Sequence, residues 1–140
     1  MFSRLDHVSI GVLDMEKAQK LFCDLLGGER LEDAGNSEQE GFSWVTFLLG
    51  GKKVELVSPH EPGKGGVGRY LARNGEGFHH LSFSVEDLFA ARTHLETNGL
   101  RILGYVDQGS FKHFYIHPAD TFGALIQVFE ETERTLDLGE

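Results

Sequence analysis

The fold is decided by the segment FHHLSFSVEDL at residues 78–88, which repeats the segment LDHVSIGVLDM at residues 5–15. The two segments align without a gap at an offset of 73 residues. Later in the chain, VELV at residues 54–57 recurs as IQVF at residues 126–129. The repeat indicates that the chain consists of two copies of one structural unit.

Apolar and polar side chains alternate in both copies, which is typical of β-strands that bury one face. In the first copy Val8, Ile10 and Val12 fall on one face of the strand, whereas His7 falls on the other. The second copy repeats this pattern and places His80 on its more polar face. The shared alternation argues against the alternative that two unrelated β-α segments align by chance.

Four side chains with metal-binding capacity occur as two matched pairs. His7 is paired with His80, and Glu55 is paired with Gln127. Two imidazoles, a carboxylate and an amide oxygen can bind a divalent transition metal and leave one or two positions for water or substrate. We therefore predict a metal site to which both copies contribute.

Composition and charge exclude several classes of protein. The chain has 140 residues, of which 40% are hydrophobic and 25% charged, as in ordinary globular proteins. Its net charge of −9 argues against a nucleic-acid partner. The single Cys23 cannot form an internal disulfide, and no apolar stretch approaches the roughly 20 residues that span a bilayer. A strand begins too early for a signal peptide, so we expect a cytoplasmic protein without a membrane partner.

The predicted element order is β-α-β-β-β in each copy. Asp14 and Asp87 are predicted to cap the first helix of each copy. The predicted helices are Met15–Leu26, Gly68–Asn74 and Leu88–Asn98. The predicted strands are Leu5–Val12, Glu29–Glu32, Phe42–Leu49, Lys52–Val57, 78–85, Arg101–Tyr105, Phe111–His117 and Ala124–Glu130. Residues 33–40 are predicted to form a loop because they are polar and contain Gly35, Asn36 and Ser37.

We predict one α+β domain over residues 1–140. The first βαβββ unit is expected at about residues 3–59, a connector at about 60–76, and the second unit at about 77–131. Together the two units would form a curled eight-stranded mixed sheet around a metal cleft, with the helices outside. The charged tail after Glu131 is expected to be frayed.

The sequence resembles the vicinal oxygen chelate superfamily, which includes glyoxalase I, methylmalonyl-CoA epimerase, extradiol dioxygenases and fosfomycin-resistance proteins. The resemblance covers nearly the whole chain. The motifs that look most like the epimerase branch are LDHV at 5–8, KVEL at 53–56, GEGFHH at 75–80, FYIHP at 114–118 and GALI at 123–126.

The resemblance implies a role for each of the paired residues. His7 and His80 match the two histidine ligands of the superfamily, and Glu55 stands where it places a Gln or Glu ligand. Gln127 departs from the pattern, because the family commonly has a Glu there that binds the metal and, in the glyoxalase branch, transfers a proton. An amide can bind a metal through its oxygen but cannot take up a proton, so Glu55 is expected to act as a base.

The chemistry implied by the resemblance is a metal-dependent isomerase reaction that removes a proton alpha to a thioester carbonyl, with an acyl-CoA as the expected substrate. Glu38 and Glu40, in the predicted loop, are candidates for a second base, and solvated loop charges are the alternative interpretation. Zn, Co, Ni or Mn is expected ahead of Fe, and the protein is expected to form a homodimer.

Three alternative functions remain open from the sequence. A glyoxalase I-like lyase would use the same metal and a similar proton abstraction. A non-haem Fe(II) dioxygenase is formally possible because His7, Glu55 and His80 make a two-histidine-one-carboxylate set. A small-molecule-binding resistance protein would need no catalytic metal.

Overall fold

The computed structural model describes residues 1–109 and 111–131, and the predicted frayed tail after Glu131 lies outside the described residues. The strands are β1 Arg4–Gly11, β2 Glu29–Ser37, β3 Phe42–Leu49, β4 Lys52–Pro59, β5 Gly77–Val85, β6 Ile102–Asp107, β7 Lys112–Ile116 and β8 Ile126–Glu130. The α-helices are α1 Met15–Gln19, α2 Gly65–Asn74 and α3 Leu88–Thr97. A π-helical segment, Lys20–Leu25, continues α1, and a short 3₁₀ helix, Pro118–Asp120, joins β7 to β8.

The strands form one eight-stranded mixed sheet with the order β2-β3-β4-β1-β5-β8-β7-β6. Strand β1 runs parallel to β4, and β5 runs parallel to β8. The β2–β3, β3–β4, β6–β7 and β7–β8 pairs are antiparallel. The α+β class and the eight-stranded mixed sheet that we predicted from the sequence are confirmed.

The chain forms two compact units. The first compact unit is Val8–His79, and the second consists of Met1–His7 and the described residues from His80 to Glu131. The core of the first unit contains two groups of buried side chains: Val12, Ala18, Cys23, Phe47 and Leu56, and separately Val57, Val67 and Leu71. The core of the second unit contains Val85, Leu88, Ala91, Phe114, Ile116 and Val128. The domain boundaries drawn from the sequence repeat stay a prediction.

The two helix caps predicted from the repeat are confirmed. The Asp14 side chain accepts a hydrogen bond from the backbone N–H of Lys17 at 3.0 Å, which satisfies one of the unpaired donors of the first helical turn. The Asp87 side chain accepts one from the backbone N–H of Ala90, also at 3.0 Å. Both copies therefore start their helix by the same local mechanism. Among residues 1–109 and 111–131, no helix is long and apolar enough to cross a membrane.

The buried face of the first helix is not the one that regular α-helical spacing would give. Regular α-helical spacing would bury five side chains: Ala18, Leu21, Phe22, Leu25 and Leu26. The chain instead winds into a π-helical turn, in which the backbone N–H of Leu26 donates to the carbonyl of Leu21 five residues earlier. The wider turn rotates Cys23 into the core and leaves Leu25 78% exposed.

The predicted loop at residues 33–40 is wrong over its first half, because β2 extends to Ser37. After an irregularity in register, residues Ala34 to Ser37 pair with β3. Backbone pairing decides this outcome, since an edge strand can keep polar side chains in solvent while its N–H and C=O groups bond to a neighbour. Gly35 also suits the position, because a Cβ there would lie 3.2 Å from the Trp44 ring.

Candidate metal centre

The two predicted histidine ligands lie close together in the second compact unit. His7 is on β1 and is half-buried, whereas His80 is on β5 and is 4% exposed. Their ring centroids are 5.6 Å apart in an edge-to-face arrangement. The structure thus brings together the pair that the sequence repeat matched.

A carboxylate orients the ring of His7. The Nδ1 atom of His7 lies 2.7 Å from Oδ2 of Asp6, whose side chain is 2% exposed. Arg4 Nη1 donates to the other oxygen of Asp6 at 2.6 Å. Because an ionised carboxylate can only accept, Nδ1 carries the proton and Nε2 presents the lone pair that a metal requires. Asp6 is not among the site residues predicted from the sequence, where its only signal is an acid directly before a predicted ligand.

Glu55 is held by a buried serine. Ser9 on β1 and Glu55 on β4 are partners in the parallel strand register. The Ser9 hydroxyl donates to Oε1 of Glu55 at 2.9 Å, and Ser9 is fully buried. Both residues belong to the first compact unit. The hydroxyl fixes the rotation of the carboxylate and engages one of its two oxygens.

Gln127 has the same arrangement in the second compact unit. Ser82 on β5 and Gln127 on β8 are partners in the parallel register, and the Ser82 hydroxyl donates to Gln127 Oε1 at 2.9 Å. The Gln127 Nε2 atom lies 3.3 Å from Nδ1 of His113. Burial lowers the pKa of His113 to about 4, so its ring is neutral at pH 7 and Nδ1 can accept from the amide. Both ends of the Gln127 amide therefore have defined partners.

Three of the predicted ligands form a group that can bind a metal. One potential ligand atom from each of His7, Glu55 and His80 lies within 4.8 Å of the other two. Ligands of one ion, each about 2.1 Å from it, lie at most about 4.2 Å apart, which is close to the 4.8 Å limit that contains these three atoms. Two imidazoles and one carboxylate fit Zn, Co, Ni, Mn and Fe by donor type, and the participation of Gln127 as a fourth ligand stays a prediction.

Aromatic rings pack around the second histidine. The Tyr115 ring meets His80 edge to face at 5.7 Å between centroids, and it meets His113 in the same way at 5.6 Å. His79, beside His80 in the sequence, packs against the Tyr70 ring at 4.5 Å. Burial lowers the pKa of His79 to about 4, an effect opposed by the charge of Glu55. His79 is thus a neutral packing residue rather than a member of the ligand group.

A buried lysine lies two residues before Glu55 on β4. The Lys53 side chain is 5% exposed, and its Nζ atom lies 4.0 Å from Oδ2 of Asp33 on β2. The Trp44 indole N–H donates to the other oxygen of Asp33 at 3.1 Å. The Asp33 carboxylate therefore offsets the charge of the Lys53 ammonium. In the sequence, Lys53 stands out only as part of the KVEL motif.

The two candidates for a second base lie elsewhere. Glu38 and Glu40 are exposed in the turn between β2 and β3, where the backbone N–H of Glu40 donates to the Ser37 hydroxyl. Neither carboxylate belongs to the group formed by His7, Glu55 and His80. Their catalytic role stays a prediction.

The fold and the sequence define the superfamily to which the chain belongs. Residues 6–116 match the sequence profile of the Glyoxalase/Bleomycin resistance protein/Dioxygenase superfamily. The chain therefore belongs to this superfamily, as its sequence resemblance implied.

Its similarity to individual proteins points to the epimerase branch. The chain is 32% identical over 133 residues to the ethylmalonyl-CoA/methylmalonyl-CoA epimerase of Cereibacter sphaeroides, covering 91% of this chain and 98% of that protein. It is 30% identical to the mitochondrial methylmalonyl-CoA epimerase of Bos taurus, covering 89% and 73%. A Streptomyces coelicolor methylmalonyl-CoA epimerase variant in complex with 2-nitronate-propionyl-CoA superposes with a TM-score of 0.83 at 25% identity, covering 95% and 97%. The resemblance to the epimerase branch is confirmed.

Proposed function

We propose that the protein is a divalent-metal-dependent epimerase that acts on an acyl-CoA thioester of the methylmalonyl-CoA type. The observation that carries the proposal is the group of His7, Glu55 and His80. It occurs in a chain that is similar to CoA-thioester epimerases over about nine-tenths of its length. The lyase, dioxygenase and resistance-protein alternatives have no comparable support.

The metal would be held by nitrogen and oxygen atoms from four side chains. His7 and His80 contribute imidazoles, Glu55 contributes one carboxylate oxygen, and Gln127 contributes its amide oxygen. When bound, the ion supplies Lewis acidity that stabilises negative charge on the thioester oxygen, an effect worth several kcal/mol. The ion proposed here is Zn, Co, Ni or Mn, all of which accept imidazole and carboxylate donors.

Glu55 is the residue that removes the α-proton in this proposal. It is the one carboxylate in the ligand group, and a positioned carboxylate base contributes about 10²- to 10⁴-fold to the rate. The Ser9 hydroxyl donates to Oε1 and holds the carboxylate in one rotation. Gln127 cannot take up a proton because it is an amide.

Epimerisation also needs a group that returns a proton to the opposite face of the planar intermediate. We assign this role to Glu38 or Glu40, since both are carboxylates exposed at one turn. The variants Glu38→Gln and Glu40→Gln separate the two. The one that carries the role should lose epimerisation while α-proton exchange from one face of the substrate persists.

The experiment that tests the proposal combines metal analysis with exchange of the substrate α-proton. Protein reconstituted with Co²⁺ or Zn²⁺ should contain one ion per chain, and NMR in D₂O should show loss of the α-proton signal of methylmalonyl-CoA. His80→Ala should lose the ion and the exchange. His94→Ala serves as a matched control because His94 is exposed on α3. Glu55→Gln should keep the fold and some metal affinity but lose exchange.

Other outcomes would favour a different function. Stoichiometric Fe(II) with oxygen uptake would support a dioxygenase, and conversion of a 2-oxoaldehyde thiol adduct without exchange on the thioester would support a lyase. Retention of tight metal by both His7→Ala and His80→Ala would place the site elsewhere. The homodimer and the cytoplasmic location expected from the sequence stay predictions, and light scattering on purified protein would test the homodimer.

A further inference from the structure

Two buried serines contact the two non-histidine ligands in the same way. Ser9 and Ser82 are both fully buried in their strands. Each hydroxyl donates to the Oε1 atom of the residue opposite it in a parallel pair, Glu55 or Gln127, and each distance is 2.9 Å. The same contact therefore occurs once in each compact unit.

The contact has a definite consequence for each ligand. A buried hydroxyl needs a hydrogen-bond partner, and here its donor is committed to the ligand. At Glu55 the hydroxyl donates to one carboxylate oxygen and so fixes the rotation of the carboxylate that is proposed to bind the metal. At Gln127 it selects the orientation of the amide, because only the carbonyl oxygen can accept from Ser82 while Nε2 donates to His113.

We propose that Ser9 and Ser82 are positioning residues of the metal centre, each presetting the ligand oxygen of its partner across the parallel strands. The proposal rests on the metal site proposed above. A serine hydroxyl can donate to a carboxylate oxygen or to an amide oxygen. The same hydrogen bond therefore holds Glu55 in one unit and Gln127 in the other. The hydroxyls thereby reduce the entropy that the ligands lose on binding an ion.

The chain supplies a matched control in Ser58. It is buried in β4 three residues after Glu55, and therefore on the opposite face of that strand, and its hydroxyl donates to the backbone carbonyl of Leu13 at 3.3 Å instead of to a predicted ligand. Removal of any of the three hydroxyls creates a similar small defect. A purely structural role would make Ser9→Ala, Ser82→Ala and Ser58→Ala indistinguishable in metal binding.

The test is a titration of the apoprotein with Co²⁺. Binding is monitored by calorimetry and by the visible absorption bands of the bound ion. Ser9→Ala and Ser82→Ala should bind Co²⁺ about 10- to 100-fold more weakly than wild type, with altered absorption bands. Ser58→Ala should bind as wild type. Ser9→Thr, which keeps a hydroxyl, should restore the wild-type spectrum. Melting curves recorded with a chelator verify that each variant is folded.

The possible results separate this inference from the proposed function. Wild-type Co²⁺ affinity and spectrum in both alanine variants would overturn the role of the serines and leave the epimerase intact. Wild-type protein that binds Co²⁺ without exchanging the α-proton would overturn the epimerase, while weaker binding by the alanine variants would still support the serines. Wild-type protein that binds no divalent ion would overturn both.

Discussion

Asp6→Asn tests most directly how the protein prepares a histidine for metal binding. In the wild type, Asp6 accepts from Arg4 through Oδ1 and from His7 through Oδ2, at 2.6 and 2.7 Å. Asparagine has nearly the same shape but only one oxygen. Arg4 is always a donor, so the Asn oxygen turns toward Arg4 and the Asn NH₂ group faces Nδ1 of His7.

The consequence is a change of tautomer in His7. To accept from the Asn NH₂ group, Nδ1 must give up its proton, and the neutral ring then carries it on Nε2. A protonated Nε2 cannot bind a metal. Loss of the partner that orients a metal-ligating histidine typically costs 10- to 100-fold in affinity, or about 1.4–2.7 kcal/mol. We expect the upper end here, because Asp6 is almost fully buried and water cannot easily replace it.

The assay is competition between the protein and a chelator for Zn²⁺, with Asp14→Asn as the control. Asp14 is a helix cap, and Asn caps helices about as well as Asp, so this variant should bind Zn²⁺ like wild type. Melting temperatures in chelator show whether Asp6→Asn weakens the fold itself. A Zn²⁺ affinity of Asp6→Asn within twofold of wild type would refute the tautomer argument.

Other predictions concern the core, the helix caps and an exposed ion pair. Phe114→Ala should lower the free energy of unfolding by about 3–5 kcal/mol, because Phe114 is fully buried; a loss below about 1 kcal/mol in urea denaturation would contradict this. Asp87→Ala should cost about 1 kcal/mol in the same assay, and Asp14→Ala a similar amount, because both caps have the same geometry; unequal losses would count against a shared capping mechanism. Arg101 lowers the pKa of Asp120 to about 2, so the stabilisation is present above pH 3.8 and is lost as the pH falls to about 2. Asp120→Asn should flatten the melting temperature over that interval, and an unchanged pH profile would argue against the pair.

The predicted ligand group was accessible from the sequence because it is encoded by a repeat. An offset of 73 residues relates His7 to His80, and period-2 alternation places both on the more polar face of a strand. The same offset relates the helix caps Asp14 and Asp87. These features depend on contacts within a few residues or on a pattern along one strand, so the sequence alone specified them.

The sequence did not predict which residues pair with each other across neighbouring strands. In the sequence, Ser9 is only one of several polar residues in its strand. Its hydrogen bond to Glu55 depends on the parallel register of β1 and β4. The extension of β2 to Ser37 likewise depends on pairing with β3, which overrides the polar composition of the segment. Strand register follows from how whole elements align, and no local propensity encodes it.

The sequence by itself determined the α+β class, the two copies of the unit, the starts of their first helices and the identity of His7, Glu55 and His80 as a potential ligand group. Tertiary structure decided which side chains hold those ligands and which face of the first helix is buried. In the π-helical turn Cys23 is buried and Leu25 is exposed, which the spacing of apolar residues along the sequence does not predict. The physical reason is the separation along the sequence of the residues that interact. Helix caps and the alternation of apolar and polar side chains depend on residues close together in the sequence, whereas packing and cross-strand hydrogen bonds form between residues that are far apart in it.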